Sequence, residues 1–299
     1  MPEQPEVRIM SDFFNQEVGI RSVYKVEKSP LSKNLCDFSI LNGKEWKISS
    51  AFRGKEMMII FSNEDEKHYL KVGFAKIGSI EIFDPTNIDP VYFDKRAILR
   101  FYTQDKIYAI SDFTRYVIWR WSEEWDPNRS PDIITQHNDW RDLLYEKRKI
   151  QYFNRPIFDI LTDQRFFNGI GNYTRSEILG RTRFSPFVPF SEVLNTDILR
   201  DDFFHTCREV LNESALFGGM QFKFWINPTG INKDKFNRWI RCYNKPRKAY
   251  FIKDSRGATF WFAKKWSIDY LIWSEDKEER NTALFQKIYR QNKKAKKWQ

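Results

Sequence analysis

The residues with the most chemistry in this chain stand at its start, in Met1-Pro2-Glu3-Gln4-Pro5-Glu6-Val7. An initiator methionine followed by proline is usually trimmed, which leaves Pro2 with a free secondary amine. A free α-amino group has a pKa of about 7.7–8.0, so a useful fraction is unprotonated near neutral pH. Such an amine attacks an aldehyde-like carbon to give an iminium and divides one difficult step into two easier ones. Glu3 sets a carboxylate beside it that can move protons. The same residues also suit a helix start, because proline and acidic side chains are favoured in a first turn. Val7, Met10, Phe14 and Val18 then follow helical spacing.

A second constellation lies far downstream, in the run from Asp163 to Leu179 that contains Gly169-Ile170-Gly171-Asn172-Tyr173. Its glycines let the backbone turn tightly and approach another molecule. The amides of the helix start that follows, with the Asn172 side chain, form a seat for an anion such as phosphate. A Gly-Ile-Gly taken alone reads equally well as a plain helix–helix turn.

The elements that must position these groups fall into two halves. Short β-branched or aromatic runs at 46–48, 56–61, 79–83, 97–102 and 107–110 predict a β-sandwich behind one N-terminal helix, over residues 1–125. Residues 126–148 read as a linker, since Trp125 to Gln136 carries Pro, Asn, Ser and Asp. Helical spacing then marks residues 149–244. Runs around 248–252 and 258–262, joined by Lys253-Asp254-Ser255-Arg256-Gly257, predict a hairpin within residues 245–265. Residues 266–299 form a basic tail, read as a solvated helix. The fold class is α+β.

The 299 residues include 50 Lys and Arg against 40 Asp and Glu, a net charge of +10 that favours an anionic partner, most simply nucleic acid. No apolar run reaches the length of a membrane span, and the first residues lack the apolar core of a signal peptide. A soluble, intracellular protein of a DNA-containing compartment (cytoplasm and nucleoid, or nucleus) is therefore expected. Cys36, Cys207 and Cys242 are widely separated and odd in number, which suits neither a disulfide framework nor a four-cysteine zinc site. His68, His137 and His205 show no ligand spacing.

The full string from Asp163 to Leu179 resembles the helix-two-turns-helix of the formamidopyrimidine-DNA glycosylase and endonuclease VIII family. Pro2-Glu3 with Pro5-Glu6-Val7 matches that family's amino terminus, and Arg53-Gly54-Lys55 its catalytic-lysine turn. Phe153-Asn154-Arg155-Pro156-Ile157 leads into the helical motif as it does there. Trp239 to Tyr243 and Asp254 to Phe262 resemble the zincless finger of vertebrate and giant-virus endonuclease VIII-like enzymes. These landmarks run from residue 2 to about residue 262.

The resemblance implies a helix-two-turns-helix domain with a zincless β-hairpin finger. It also implies a bifunctional DNA glycosylase and abasic-site lyase of base excision repair, favouring oxidised pyrimidines and using no metal or organic cofactor. Pro2 attacks the sugar, Glu3 is general acid and base, and Lys55 assists near the lesion phosphate. Glu6, Gly171, Asn172, Tyr173 and Arg256 are implied as DNA contacts. Phe74 is implied as an intercalating wedge, with Arg115 and Tyr116 filling the void left by the flipped base. Met220, Gln221 and Phe222 fall in the lesion-recognition loop. The implied partner is duplex or bubble DNA with damaged bases or abasic sites, bound by a monomer.

The chain departs from the family pattern in four places. Its wedge loop, Gly73 to Gly78, is two residues longer, and its second loop keeps one arginine of a pair. Arg256 stands one or two positions before the family's finger arginine. Met220-Gln221-Phe222 replaces a stretch with a basic residue. A catalytically silent DNA binder of the same fold is the alternative, and the trio Pro2, Glu3 and Lys55 argues against it. An RNA- or ribosome-associated protein would explain the charge but not the amino terminus.

Overall fold

Glu6 opens the first helix, α1 (Gln4–Phe13), by accepting a 2.7 Å hydrogen bond from the Glu3 amide, so the acidic start predicted for a helix is used as a cap. The computed structural model describes residues 2–74, 78–220, 233–267 and 269. The chain divides into two compact units, one of residues 1–127 with 214–233, the other of residues 128–213 with 234–299.

In the first unit α1 runs on as one wide turn (Phe14–Val18) and sets Val7, Met10, Phe14 and Val18 into the core. Two antiparallel sheets enclose that core. One has the order β1 (Ser22–Val23), β3 (Trp46–Arg53), β4 (Glu56–Ser62), β5 (Lys67–Gly73), β9 (Ile118–Trp121). The other has the order β2 (Lys25–Lys28), β7 (Ala97–Tyr102), β8 (Ile107–Ser111), β6 (Ser79–Phe83). Along β3 the side chains alternate, with Trp46 and Ile48 buried and Lys47 and Ser49 exposed, the period of a half-buried strand. Ile59, Phe61, Leu70 and Val72 meet Ile80, Leu99, Phe101 and Ile110 in the core, and each such side chain contributes about 1.5–3 kcal/mol on burial. A further helix, α2 (Pro90–Arg96), is capped by Asp89, which accepts from the Val91 and Tyr92 amides.

The second unit is helical: α3 (His137–Glu146), α4 (Ile157–Ile160), α5 (Asn172–Arg181), α6 (Phe190–Asn195), α7 (Asp197–Leu216) and α8 (Lys233–Trp239). Its core is aromatic. Phe153, Phe167, Phe190 and Phe203 meet largely edge to face, with centroids 4.9 Å apart for Phe153–Phe190 and 5.3 Å for Phe167–Phe190. A hairpin of β10 (Ala249–Lys253) and β11 (Thr259–Ala263) lies one residue from its expected place, and it packs on α5.

The expected linker at 126–148 is corrected. It contains α3, and Ile133, Trp140 and Leu144 are fully buried in the second core. Its polar residues are engaged with backbone: Asp132 accepts from the nearby Ile134 and Thr135 amides, and Ser130 from the distant Asn168 amide. The basic tail beyond Asp269 lies outside the described residues. Among those residues no helix is long and apolar enough to cross a membrane, and no cluster of His, Cys, Asp and Glu could hold a metal ion. The three cysteines are free thiols, and burial pushes the Cys242 thiol up to about 12.

Candidate active site and nucleic-acid interface

Within the first unit, Pro2 and Glu3 are both buried at the mouth of α1. Glu6 holds them there. One oxygen of its carboxylate takes the Glu3 amide, and the other takes the Met220 amide at 2.8 Å. The chain comes this close because Gly219 has φ +66°, and a β-carbon on it would lie 2.2 Å from Glu6 Oε1. Glu6 was expected to contact DNA. With its side chain buried on two backbone donors, it instead ties the amino terminus to the segment entering residues 221–232.

Removing that carboxylate takes an acceptor from the buried Glu3 amide, at a cost of about 1–3 kcal/mol, and from the part-buried Met220 amide at a smaller one. Glu6→Ala should lower single-turnover strand cleavage at least tenfold while duplex affinity stays within a few-fold. Glu6→Gln, with one acceptor oxygen, should recover part of the loss. Equal losses in affinity and rate would contradict this positioning role.

Lys55 sits in the two-residue turn between β3 and β4, where Arg53 pairs with Glu56 and Gly54 takes φ +58°. Charges brace that turn. Glu56 lies 3.6 Å from Arg53 and 3.9 Å from Lys71, and the Arg53 guanidinium also donates to the Asp126 carbonyl. Lys71 donates to the Glu124 carbonyl at 3.1 Å. Burial lowers the Lys71 pKa, and the Glu56 carboxylate opposes that shift. Lys55 is itself buried. Nothing in the sequence singled out Lys71, whose role as a brace needs the register of β4 against β5.

The loop from Asp112 to Val117 is organised by one carboxylate. Asp112 accepts from the amides of Thr114, Tyr116 and Val117 and from the Thr114 hydroxyl. Arg115 stands at its tip with φ +58°, and Tyr116 is half exposed. Phe113, passed over in the sequence, is 56% exposed and adds an aromatic face to this loop. Phe74 differs from expectation. It is only 5% exposed, belongs to the sandwich core and packs over Gly78 and toward Val117, so it is no wedge in this conformation. An apolar loop residue next to a strand end has no sequence signal that separates core from tip. Residues 75–77 of the wedge loop, and Gln221 and Phe222, lie outside the described residues.

In the second unit Gly171 precedes α5, and its amide donates to the Thr174 hydroxyl at 2.9 Å. Arg175 donates to Asn172 Oδ1 at 3.2 Å, to Asp254 Oδ2 at 2.7 Å and to the Phe158 and Thr259 carbonyls. By occupying the Asn172 oxygen, the guanidinium sets the amide so that its NH2 donors face away from Arg175. Arg175 and Asp254 are fully buried, and the other Asp254 oxygen accepts from the Arg256 and Ala258 amides. Arg256 itself is 45% exposed, donates to the Thr162 hydroxyl and reaches the Asp159 carbonyl at 3.4 Å. Asn172 and Arg256 are thus two ends of one hydrogen-bonded chain, Asn172–Arg175–Asp254–Arg256. Tyr173, expected beside them, has its ring buried edge-on against Phe236 and Tyr243. Its contribution to any anion site is confined to the backbone.

The geometry sets Pro2 and the Glu3 carboxylate together at one helix start, and separately offers a donor array suited to phosphate. No family model matches the chain. It is 30% identical over 294 residues to human Endonuclease 8-like 1, covering 88% of this chain and 72% of that protein. It is 31% identical over 113 residues to formamidopyrimidine-DNA glycosylase of Rickettsia massiliae, covering 38% of this chain and 39% of the relative. Among solved structures, wild-type Lactococcus lactis formamidopyrimidine-DNA glycosylase, in a complex with DNA containing an oxidized pyrimidine, matches with a TM-score of 0.69 at 17% identity. That match covers 88% of this chain and 98% of the other.

Proposed function

The chain belongs to the formamidopyrimidine-DNA glycosylase and endonuclease VIII family, and from that premise we propose that its start, Pro2-Glu3, carries the chemistry. It is a DNA glycosylase and abasic-site lyase of base excision repair. In the finer reading, the Pro2 nitrogen attacks the sugar C1′ of a flipped nucleotide as the C1′–base bond breaks. The sugar ring opens to an iminium. Loss of a C2′ proton then expels the 3′ phosphate, and a second elimination expels the 5′ phosphate. Glu3 shuttles the protons of ring opening and elimination. Lys55, on its braced turn, meets the phosphate nearest the lesion, and Asn172 and Arg256 hold backbone phosphates. Arg115 and Tyr116 fill the vacated space, with Phe113 beside them.

The observation that carries this reading is the Glu6 clasp. A helix needs no carboxylate tied to two separate amides merely to begin, whereas a nucleophile within ångströms of a sugar carbon must be held still. Oxidised pyrimidines are the favoured substrates, supported by the resemblance of the hairpin and of the loop from Asp112 to Tyr116 to the endonuclease VIII-like side of the family.

Base release from thymine glycol, 5-hydroxyuracil and 8-oxoguanine duplexes tests both parts. The pyrimidine lesions should be released fastest. Glu3→Gln should slow release by roughly 10²–10⁴-fold, the usual worth of a positioned proton carrier, while leaving some cleavage at preformed abasic sites. Full release in Glu3→Gln removes Glu3 from the mechanism, and preference for 8-oxoguanine opposite cytosine reverses the specificity.

A further inference from the structure

Two of the three histidines and two arginines face one groove that the glycosylase chemistry leaves unused. It lies between α3 and α7 in the second unit and measures about 690 Å³. His137 and Arg141 come from α3, one turn apart, and His205 and Arg208 from α7. The floor is Phe204, with the Arg141 guanidinium 5.0 Å above its ring and the His137 ring set edge-on at 6.5 Å. Neither guanidinium has an ion-pair partner among the described residues. Two carboxylates, Asp201 and Glu209, line the same groove from α7, and Asp201 is drawn to within 3.8 Å of Arg200.

We propose that this groove is a phosphate-binding site whose affinity rises on acidification. Two planar guanidinium forks suit phosphate oxygens better than a point charge does. With both imidazoles neutral, the two carboxylates balance the two guanidiniums. Protonating the His137 ring tips that balance toward a net positive charge. His137 Nδ1 is held to the Ile133 carbonyl at 3.0 Å, which leaves Nε2 as the nitrogen that a ligand can meet. That nitrogen accepts when the ring is neutral and donates once it is protonated. Burial lowers the His137 pKa first, the hydrogen bond to the Ile133 carbonyl opposes it, and the charges of Arg208 and Arg141 lower it further, so both guanidiniums project positive potential onto the ring. A bound anion reverses that potential, takes up protons and therefore binds more tightly as pH falls.

The test follows the imidazole proton signals of the full chain by NMR during titration with inorganic pyrophosphate. Affinity should rise roughly fivefold between about pH 7.5 and about pH 6, and the His137 titration midpoint should move upward with saturation. Arg141→Gln with Arg208→Gln should weaken pyrophosphate at least tenfold with thermal unfolding unchanged. Duplex binding distinguishes the source of phosphate. If DNA fills the groove, the same double variant lowers the slope of log affinity against log salt by roughly two. An unchanged slope with lost pyrophosphate binding assigns the groove to a small phosphate-bearing ligand. The proposal is overturned if pyrophosphate moves neither imidazole at either pH and the salt slope is also unchanged.

Discussion

Protein prepared with Met1 still attached should cleave abasic-site DNA at least about a thousandfold more slowly in single-turnover assays than protein beginning at Pro2. In the longer chain the Pro2 nitrogen is a tertiary amide, with no basic lone pair and no route to an iminium. The rest of the machinery survives the change: the Lys55 turn, the Asn172–Arg256 chain and the net charge of +10 are untouched. Duplex affinity should therefore stay within a few-fold, and the loss should fall on rate. A large fall in affinity with an unchanged rate constant at saturation would mean that the terminus binds DNA and performs no chemistry.

The second large effect is on stability. Arg175 and Asp254 form a fully buried ion pair at 2.7 Å. Breaking such a pair by removing one partner costs about 3–5 kcal/mol, because the other charge remains stranded away from water. Asp254→Ala should be worse than Arg175→Met. Asp254 also accepts the Arg256 and Ala258 amides that shape the hairpin loop, whereas without Arg175 its carboxylate keeps those two donors. Denaturant unfolding should show the larger loss for Asp254→Ala, accompanied by weaker binding to abasic-site DNA, since the Arg256 loop loses its anchor. Equal losses in the two variants would show that the loop amides add nothing to the ion pair.

The hairpin and the turn before α5 were legible because their signals are local. Asp254-Ser255-Arg256-Gly257 gives a carboxylate that can cap its own loop and a glycine for the φ +78° position. Strands at 56–61, 79–83 and 97–102 showed themselves through β-branched and aromatic runs. β5 did not, because Lys67-His68 and Lys71 interrupt its apolar residues, and the buried Lys71 is partnered by the Glu124 carbonyl and by Glu56 on the neighbouring strand. The turn-rich stretch before α3 misled for a related reason. Side chains such as Asp132 and Ser130 satisfy nearby or distant backbone amides, so a polar composition accompanies Ile133 in the core.

At the site, Pro2, Glu3 and Lys55 were legible as types and positions. The Glu6–Met220 contact and the Arg175–Asp254 link were not, since each joins residues far apart in sequence. Phe74 shows the converse. A motif fixes where a residue falls in the chain, while packing decides whether its ring faces solvent.

Borohydride trapping on a duplex with one abasic site, followed by mass mapping of the cross-linked peptide, bears most directly on the central claim. A reduced adduct on the nitrogen of Pro2, in a peptide that begins with Pro2, is the expected result. An adduct mapped to a lysine side chain, or trapping undiminished in protein that retains Met1, would contradict it.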